Sequence, residues 1–274
     1  MKKIFTGITS LALVATVAGC GAAGANNTQT TGSGGSATKP VFTFGMSGEY
    51  PPFNYKASNG KLTGFDVAIG DALAKQMGMT PKPVTNPWDT IIGALNAGKF
   101  QAIIGSMGVT KKREKQVNFS TPYYKSGAQI FVRADNTSIK TLNDLKGKTI
   151  GVDTASTYAT IAKQVTTKVH GYDSDVFALK DLQAGRLDAV ITDKLVGEYA
   201  IKDAGLKLKP AGKPLTLDDM AVAVRKDEPQ LLKKINTALK TIEANGTYSK
   251  ISNQYFGENL LTDPSLQSPP SSAS

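Results

Sequence analysis

The sequence predicts an α/β protein built as two lobes facing each other across a cleft. Three observations carry that prediction. Strand-like and helix-like segments alternate from residue 41 to residue 257, the alternation passes through two similar cycles, and two helical segments are left over after the second cycle. Alternation of this kind builds a mostly parallel sheet with helices on both faces, and two cycles in succession make two lobes.

In the first cycle, residues 41–46 form an apolar strand that runs into the loop S-G-E-Y-P-P-F. Residues 65–77 carry Phe65, Ile69, Ala72, Leu73 and Met77 at helical spacing, with Asp66 at the positive end of the helix dipole and Gly78 beyond the last turn. Residues 83–85 read as a strand and 88–97 as a helix stopped by Gly98. Residues 100–104 read as a buried strand. In the second cycle the strands are 128–133, 149–152, 175–177 and 189–192, and the helices are 141–146, 156–169, 179–184 and 196–204. A strand at 221–225 and helices at 228–245 and 247–255 complete the chain. The chain then crosses between lobes twice, near residues 126–129 and 220–222. One lobe is 40–127 plus 222–261, the other is 128–221, and the two crossings form a hinge.

The termini predict location. Lys2 and Lys3 precede an uncharged, mostly apolar run at residues 4–18, too short for a permanent membrane span and of signal-peptide proportions. V-A-G-C ends at Cys20, the one cysteine, which has no partner for an internal disulfide and lies where a bacterial lipobox is cut and lipidated. Residues 1–19 are thus expected as a signal peptide and 20–39, rich in Gly, Ser, Thr and Asn, as a lipidated Cys with a flexible tether. Residues 262–274 read as a disordered tail. The net charge of +10 comes from lysines scattered among Asp and Glu. Without a basic and aromatic stripe this points away from nucleic acid and toward an anionic cell surface.

In open α/β sheets ligands sit beyond the carboxyl ends of the strands, which singles out four loops. The first holds Ser47, Glu49, Tyr50 and Phe53, whose aromatics suit either the core or a cleft wall. Trp88, at a helix start, suits the same two places. The second, G-S-M-G-V-T-K-K-R-E, offers Ser106, Gly108 and Thr110 as donors and Arg113 as a bidentate grip on a carboxylate, although an Arg among lysines reads equally as a solvated face. The third places Asp153, Ser156 and Thr157 at a helix start, as caps or as donors to an anion. The fourth puts Asp193 just past a buried strand, as a cap or as a receiver of an ammonium. Together these groups match a zwitterionic amino acid.

From residue 40 to residue 257 the chain resembles the extracellular solute-binding proteins of family 3, the polar amino acid receptors of ABC importers. The resemblance is carried by Y-P-P-F at 50–53, G-K-L-T-G-F-D-V at 60–67, W-D-T-I-I-G-A-L-N-A-G-K-F at 88–100 and S-M-G-V-T-K-K-R-E-K-Q-V-N-F-S-T-P-Y-Y at 106–124. Further matches are L-N-D-L-K-G-K-T-I-G-V at 142–152, L-Q-A-G-R-L-D-A-V-I-T-D at 182–193 and N-G-T-Y-S-K-I at 245–251. It implies a type II periplasmic-binding-protein fold, with Arg113, Ser106, Gly108 and Thr157 on the ligand carboxylate, Asp193 on its ammonium, and Tyr50 and Trp88 around its side chain. It also implies a lipid-anchored, extracytoplasmic, monomeric receptor that serves a membrane permease without a cofactor or metal. Three positions depart from the family: Ser47 stands where many relatives have Asp, Gly108 replaces a hydroxyl residue, and Asp153 is charged where relatives are often apolar. The S-M-x-x-T stretch resembles the branch for arginine, lysine, ornithine or histidine, with Asp153 and Glu49 as acids for a cationic side chain; cystine and glutamine remain alternatives. A dehydratase of cyclic acids on the same fold would need a general acid or base in the cleft, where Glu49 and Asp153 are the candidates and the sole His170 falls elsewhere. A cell-surface adhesin or sensor role is a third class that the residues neither support nor oppose.

Overall fold

The computed structural model describes residues 39–266. The expected leader, Cys20 and all of the tether before Lys39 lie outside the described residues, as do residues 267–274. The first part of the chain comprises β1 (Val41–Met46), β2 (Glu49–Tyr50), β3 (Asn54–Lys56), β4 (Leu62–Thr63), α1 (Phe65–Gln76), β5 (Thr80–Thr85), a 3-10 turn at Trp88–Thr90, α2 (Ile91–Asn96), β6 (Ala102–Gly108), α3 (Lys111–Glu114) and β7 (Asn118–Ser126). Next come β8 (Ala128–Arg133), a 3-10 turn at Leu142–Leu145, β9 (Ile150–Asp153), α4 (Thr157–Lys163), β10 (Val169–Tyr172), α5 (Asp175–Gln183), β11 (Ala189–Asp193), α6 (Lys194–Lys202) and β12 (Leu208–Ala211). The last part holds β13 (Asp218–Val224), α7 (Pro229–Ala244) and α8 (Thr247–Phe256).

Two five-stranded sheets form the two lobes, in the orders β5-β1-β6-β13-β7 and β10-β9-β11-β8-β12. In lobe 1, β1 runs parallel to β5 and β6, while β13 is antiparallel to both its neighbours. In lobe 2, β9 is parallel to β10 and β11, and β8 is antiparallel to β11 and β12. The antiparallel members are the strands that carry the chain from one lobe to the other. The local chemistry fits this order. All seven residues of β6 are buried, as its central place demands. Pro81 and Pro83 fall in β5, at the sheet edge, where a missing N–H has no ladder partner to disappoint.

Both crossings are observed, close together. The first is Gly127 alone, between β7 and β8. The second occupies residues 212–217, earlier than the expected 220–222, because β13 begins pairing with β7 at Asp218. The crossings bond to each other: the Ala128 N–H donates to Thr216 Oγ1 at 2.9 Å and the Leu215 N–H to the Ala128 carbonyl at 2.6 Å. A Cβ on Gly127 would lie 1.9 Å from the Thr216 carbonyl oxygen, so only glycine lets the two segments approach this closely.

Three expectations change. The helix expected at 156–169 ends at Lys163, after which the Thr166 hydroxyl donates to the Lys148 carbonyl and the chain turns into β10. Residues 175–177, expected as a strand, are the first turn of α5, capped by Ser174, whose hydroxyl accepts from the Val176 N–H. Residues 262–266, expected in the tail, pack onto the fold: Leu266 is buried, and the Lys194 ammonium donates to Ser265 Oγ at 2.8 Å. An apolar residue with a surface to cover holds this segment down.

Candidate ligand-binding cleft

The loops beyond the strand ends meet in a cavity walled by both lobes. On the lobe 1 side the wall is fixed by a buried hydrogen-bond network. Ser47 Oγ donates to Asn54 Oδ1 at 2.9 Å, and Asn54 Nδ2 donates to Asp66 Oδ2 at 2.7 Å. Asp66 also accepts from Ser106 Oγ at 2.9 Å and from the Tyr123 hydroxyl at 2.6 Å, and that hydroxyl accepts from the Ser106 N–H at 2.9 Å. Burial pushes the Asp66 carboxyl up to about 6, and the donors from Tyr123, Asn54 and Ser106 oppose the rise. The network ties the loop after β1 to the carboxyl end of β6. It also holds Ser106 at φ 56°, a left-handed backbone that a serine adopts only under constraint. With its hydroxyl proton and N–H both committed, Ser106 faces the cavity with oxygen acceptors.

Arg113 lies in α3, whose N-cap Thr110 accepts from the Arg113 N–H at 3.1 Å. This short capped turn aims the half-buried guanidinium back into the cavity. There it donates to the Gly108 carbonyl at 2.9 Å and lies 5.6 Å from the centroid of the Trp88 ring. Burial lowers its pKa, while Tyr158, Asp153 and Asp218 act to raise it. Among the described residues it makes no salt bridge within 4.0 Å. The reading of Arg113 as a solvated face is therefore replaced: it is a cavity cation with spare donors.

The lobe 2 side is acidic. Asp153 ends β9, and its Oδ1 accepts from the Ala155 N–H at 2.9 Å. Burial pushes its carboxyl up to about 6, against the pull of the Ala155 and Ser156 amides. Ser156 is the N-cap of α4, leaving Thr157 to present its side chain at the cavity. Tyr158, Ser174 and Asp175 also line it. The lobes touch directly where Ser174 Oγ donates to the Glu49 carbonyl at 2.8 Å.

Of the ten residues expected to bind ligand, nine line this cavity: Ser47, Glu49, Tyr50, Trp88, Ser106, Gly108, Arg113, Asp153 and Thr157. Asp193 does not. It is fully buried behind the wall, where its Oδ1 accepts from Ser126 Oγ and the Leu195 N–H, both at 2.8 Å, and its Oδ2 from the Tyr158 hydroxyl at 3.1 Å. Burial pushes its carboxyl up to about 6, and those donors oppose the rise. Sequence reasoning missed Tyr158, Ser174 and Asp175. The last two were open to discovery through the Ser174 cap, which places them in the loop after β10, a fifth loop at a strand's carboxyl end.

Two α/β lobes, two adjoining crossings and a cavity lined from both sides define a two-lobed protein with its candidate ligand site between the lobes. Comparison with known proteins gives the family. Residues 42–258 match the model of the bacterial extracellular solute-binding proteins, family 3, and the chain belongs to that family. It is 35% identical to the probable amino-acid-binding protein YxeM of Bacillus subtilis (strain 168), over 96% of this chain and 98% of that one. It is 34% identical to the L-cystine-binding protein TcyJ of Escherichia coli (strain K12), over 79% of this chain and 82% of that one. Among solved structures, an ancestral arginine-binding protein bound to arginine is 39% identical and superposes with a TM-score of 0.75, covering 80% of this chain and all of that one. The fold is accordingly the type II, two-lobed one.

Proposed function

We propose that this protein captures a single amino acid outside the cytoplasmic membrane and delivers it to an ABC permease, held to the membrane through a lipid on Cys20. The observation that carries the reading is Arg113, a half-buried guanidinium at the cavity wall with no carboxylate partner among the described residues. A cation desolvated without a partner is costly, and a ligand α-carboxylate supplies the bidentate partner it lacks. Trp88 and Tyr50 then flank the ligand side chain. Asp193 attracts the α-ammonium from behind Tyr158, with the Ser106 oxygens as nearer acceptors. The relatives named as amino-acid-, cystine- and arginine-binding proteins support this assignment. We propose the same boundaries for the lobes as the sheets suggest, with residues 128–217 as lobe 2.

A thermal-shift screen of the twenty amino acids with ornithine and cystine tests the reading. At least one should raise the melting temperature of the wild type, and Arg113→Ala should lose that response, with affinity down about 100-fold or more. Because α3 is a surface turn, the variant's own melting should change little. An unchanged ligand response in Arg113→Ala would place the site elsewhere. For the anchor, Cys20→Ala should shift the protein from the membrane fraction into the medium; retention on the membrane would count against lipidation.

A further inference from the structure

The chain crosses between its lobes twice, and a third link between them is not covalent. After α8 the chain leaves lobe 1 as residues 257–266 and ends against lobe 2. Its root is fixed on lobe 1. Leu260 is fully buried, its N–H donates to Ser252 Oγ of α8 at 3.0 Å, and that hydroxyl donates to the Glu258 carbonyl at 2.7 Å. Its tip is a 3-10 turn at Pro264–Leu266. Asp263 closes the turn, accepting from the Ser265 N–H and from Ser265 Oγ, both at 2.8 Å.

The tip sits on the hinge. Ser265 and Leu266 share one small cleft with Gly127 of the first crossing, with Pro214 and Thr216 of the second, and with Lys194 of α6. Lys194 joins these parts. Its N–H donates to the Gly127 carbonyl at 3.0 Å, and its ammonium donates to Ser265 Oγ at 2.8 Å. Burial raises the pKa of Glu198, also on α6; Lys194, 3.9 Å away, opposes the rise, while Glu258 and Asp263 add to it. One cation of lobe 2 thus stands between an acid of its own helix and two acids of the C-terminal segment. The residue before it, Asp193, bonds to Tyr158 of the cavity wall and to Ser126 at the end of β7.

A root on one lobe and a tip on the other make contacts that belong to a single arrangement of the lobes. Turning the lobes about residue 127 and residues 212–217 moves α6 relative to α8, and the segment then gives up Lys194 or its own root. Contacts made in one state alone bias the equilibrium toward that state. We infer that residues 257–266 are a strap that holds the lobes in the arrangement described here and slows ligand release. None of these residues lines the cavity, so the strap acts without touching ligand. Its effect on release rests on the receptor reading; its effect on the lobes does not.

Two variants test the strap: Leu266→Ser, which loosens its buried tip, and Lys194→Met, which keeps the apolar stem and removes the ammonium. Spin labels on Asp89→Cys and Thr154→Cys, in a Cys20→Ala background, report the width of the cleft. These exposed residues line one groove from opposite lobes. Without ligand, both variants should give label distances longer than those of the intact strap, by about 5 Å or more. Unchanged distances in both would overturn the inference. Stopped-flow fluorescence of Trp88, the single tryptophan and part of the cavity wall, then follows the binding of arginine, cystine and glutamine. For each that binds, dissociation from Leu266→Ser should be about 5- to 30-fold faster, with association no slower. Equal dissociation rates would overturn the inference. So would slower association alone, the mark of a damaged fold. If none of the three binds, the receptor reading fails and the label distances still decide the strap. If Leu266→Ser does not fold, Lys194→Met carries both measurements.

Discussion

The two walls of the cleft place their buried acids differently. On lobe 1 the buried acid is Asp66, which does not line the cavity, and both its oxygens are occupied by Ser106, Tyr123 and Asn54. On lobe 2 Asp193 is likewise saturated behind the wall by Ser126, Leu195 and Tyr158, but Asp153 and Asp175 line the cavity itself. Burial raises the Asp66 and Asp175 carboxyls to about 6 and about 7 respectively. Lobe 1 thus keeps its buried acid as framework, while lobe 2 also brings acids to the cavity surface.

The sharpest way to break this contrast is to remove each acid from the unliganded protein. Asp66→Ala strands the Tyr123 hydroxyl, the Ser106 hydroxyl and the Asn54 amide in the core, and should cost about 3 kcal/mol or more. Asp175→Asn keeps the side chain's shape and its oxygen acceptor for Thr192 while removing a desolvated charge, and its stability should stay within about 1 kcal/mol of the wild type. Denaturant unfolding of both variants measures the difference; equal losses would mean that the two walls do the same job.

A smaller effect separates stability from binding as pH changes. Asp66, Asp153, Asp175 and Asp193 all have folded-state pKa values raised to about 6 or 7 from an ordinary 3.8. Between those limits the folded state binds more protons than the unfolded state, so stability falls as pH rises through the window and is flat above it. The unliganded melting temperature should therefore climb modestly from pH 7.5 to 5.5. The affinity for a bound amino acid should move the other way, because Asp175 and Asp153 lose the charge that attracts its ammonium while Arg113 stays charged. Asp193, behind Tyr158, adds a weaker loss common to all amino acids below about pH 6. Melting curves with and without ligand across this range check both trends; a ligand-induced shift that grows on acidification would contradict the second.

Much of this was legible in the sequence. The helices around Phe65 and Pro229 announced themselves through apolar spacing and flanking glycines, and the buried strands around Ile103 and Val190 through continuous apolar runs. The strands that escaped notice lack those signals. β7, N-F-S-T-P-Y-Y-K-S, contains a proline and pairs with register shifts, and β10, V-H-G-Y, is a half-polar edge strand. Asp175 was lost for a related reason. Val176 and Phe177 look like strand residues, yet Phe177 is 54% exposed on a helix, so its hydrophobicity reports no burial at all. The cleft residues of lobe 1 were easier because their loops follow readable strands. Arg113 stayed ambiguous, as did Tyr50 and Trp88, since no spacing rule distinguishes a lysine-flanked arginine on a surface from one turned inward by a four-residue helix.

The placement of β13 has a consequence for how the molecule is made. It lies between β6 and β7, yet more than ninety residues separate it from them in the chain. A nascent or translocating chain that has emerged only as far as residue 217 holds every strand of lobe 2 and an incomplete lobe 1, whose two inner edges still wait for their shared partner. Lobe 2 can therefore close first during export, while lobe 1, with the arginine side of the cleft, is assembled last.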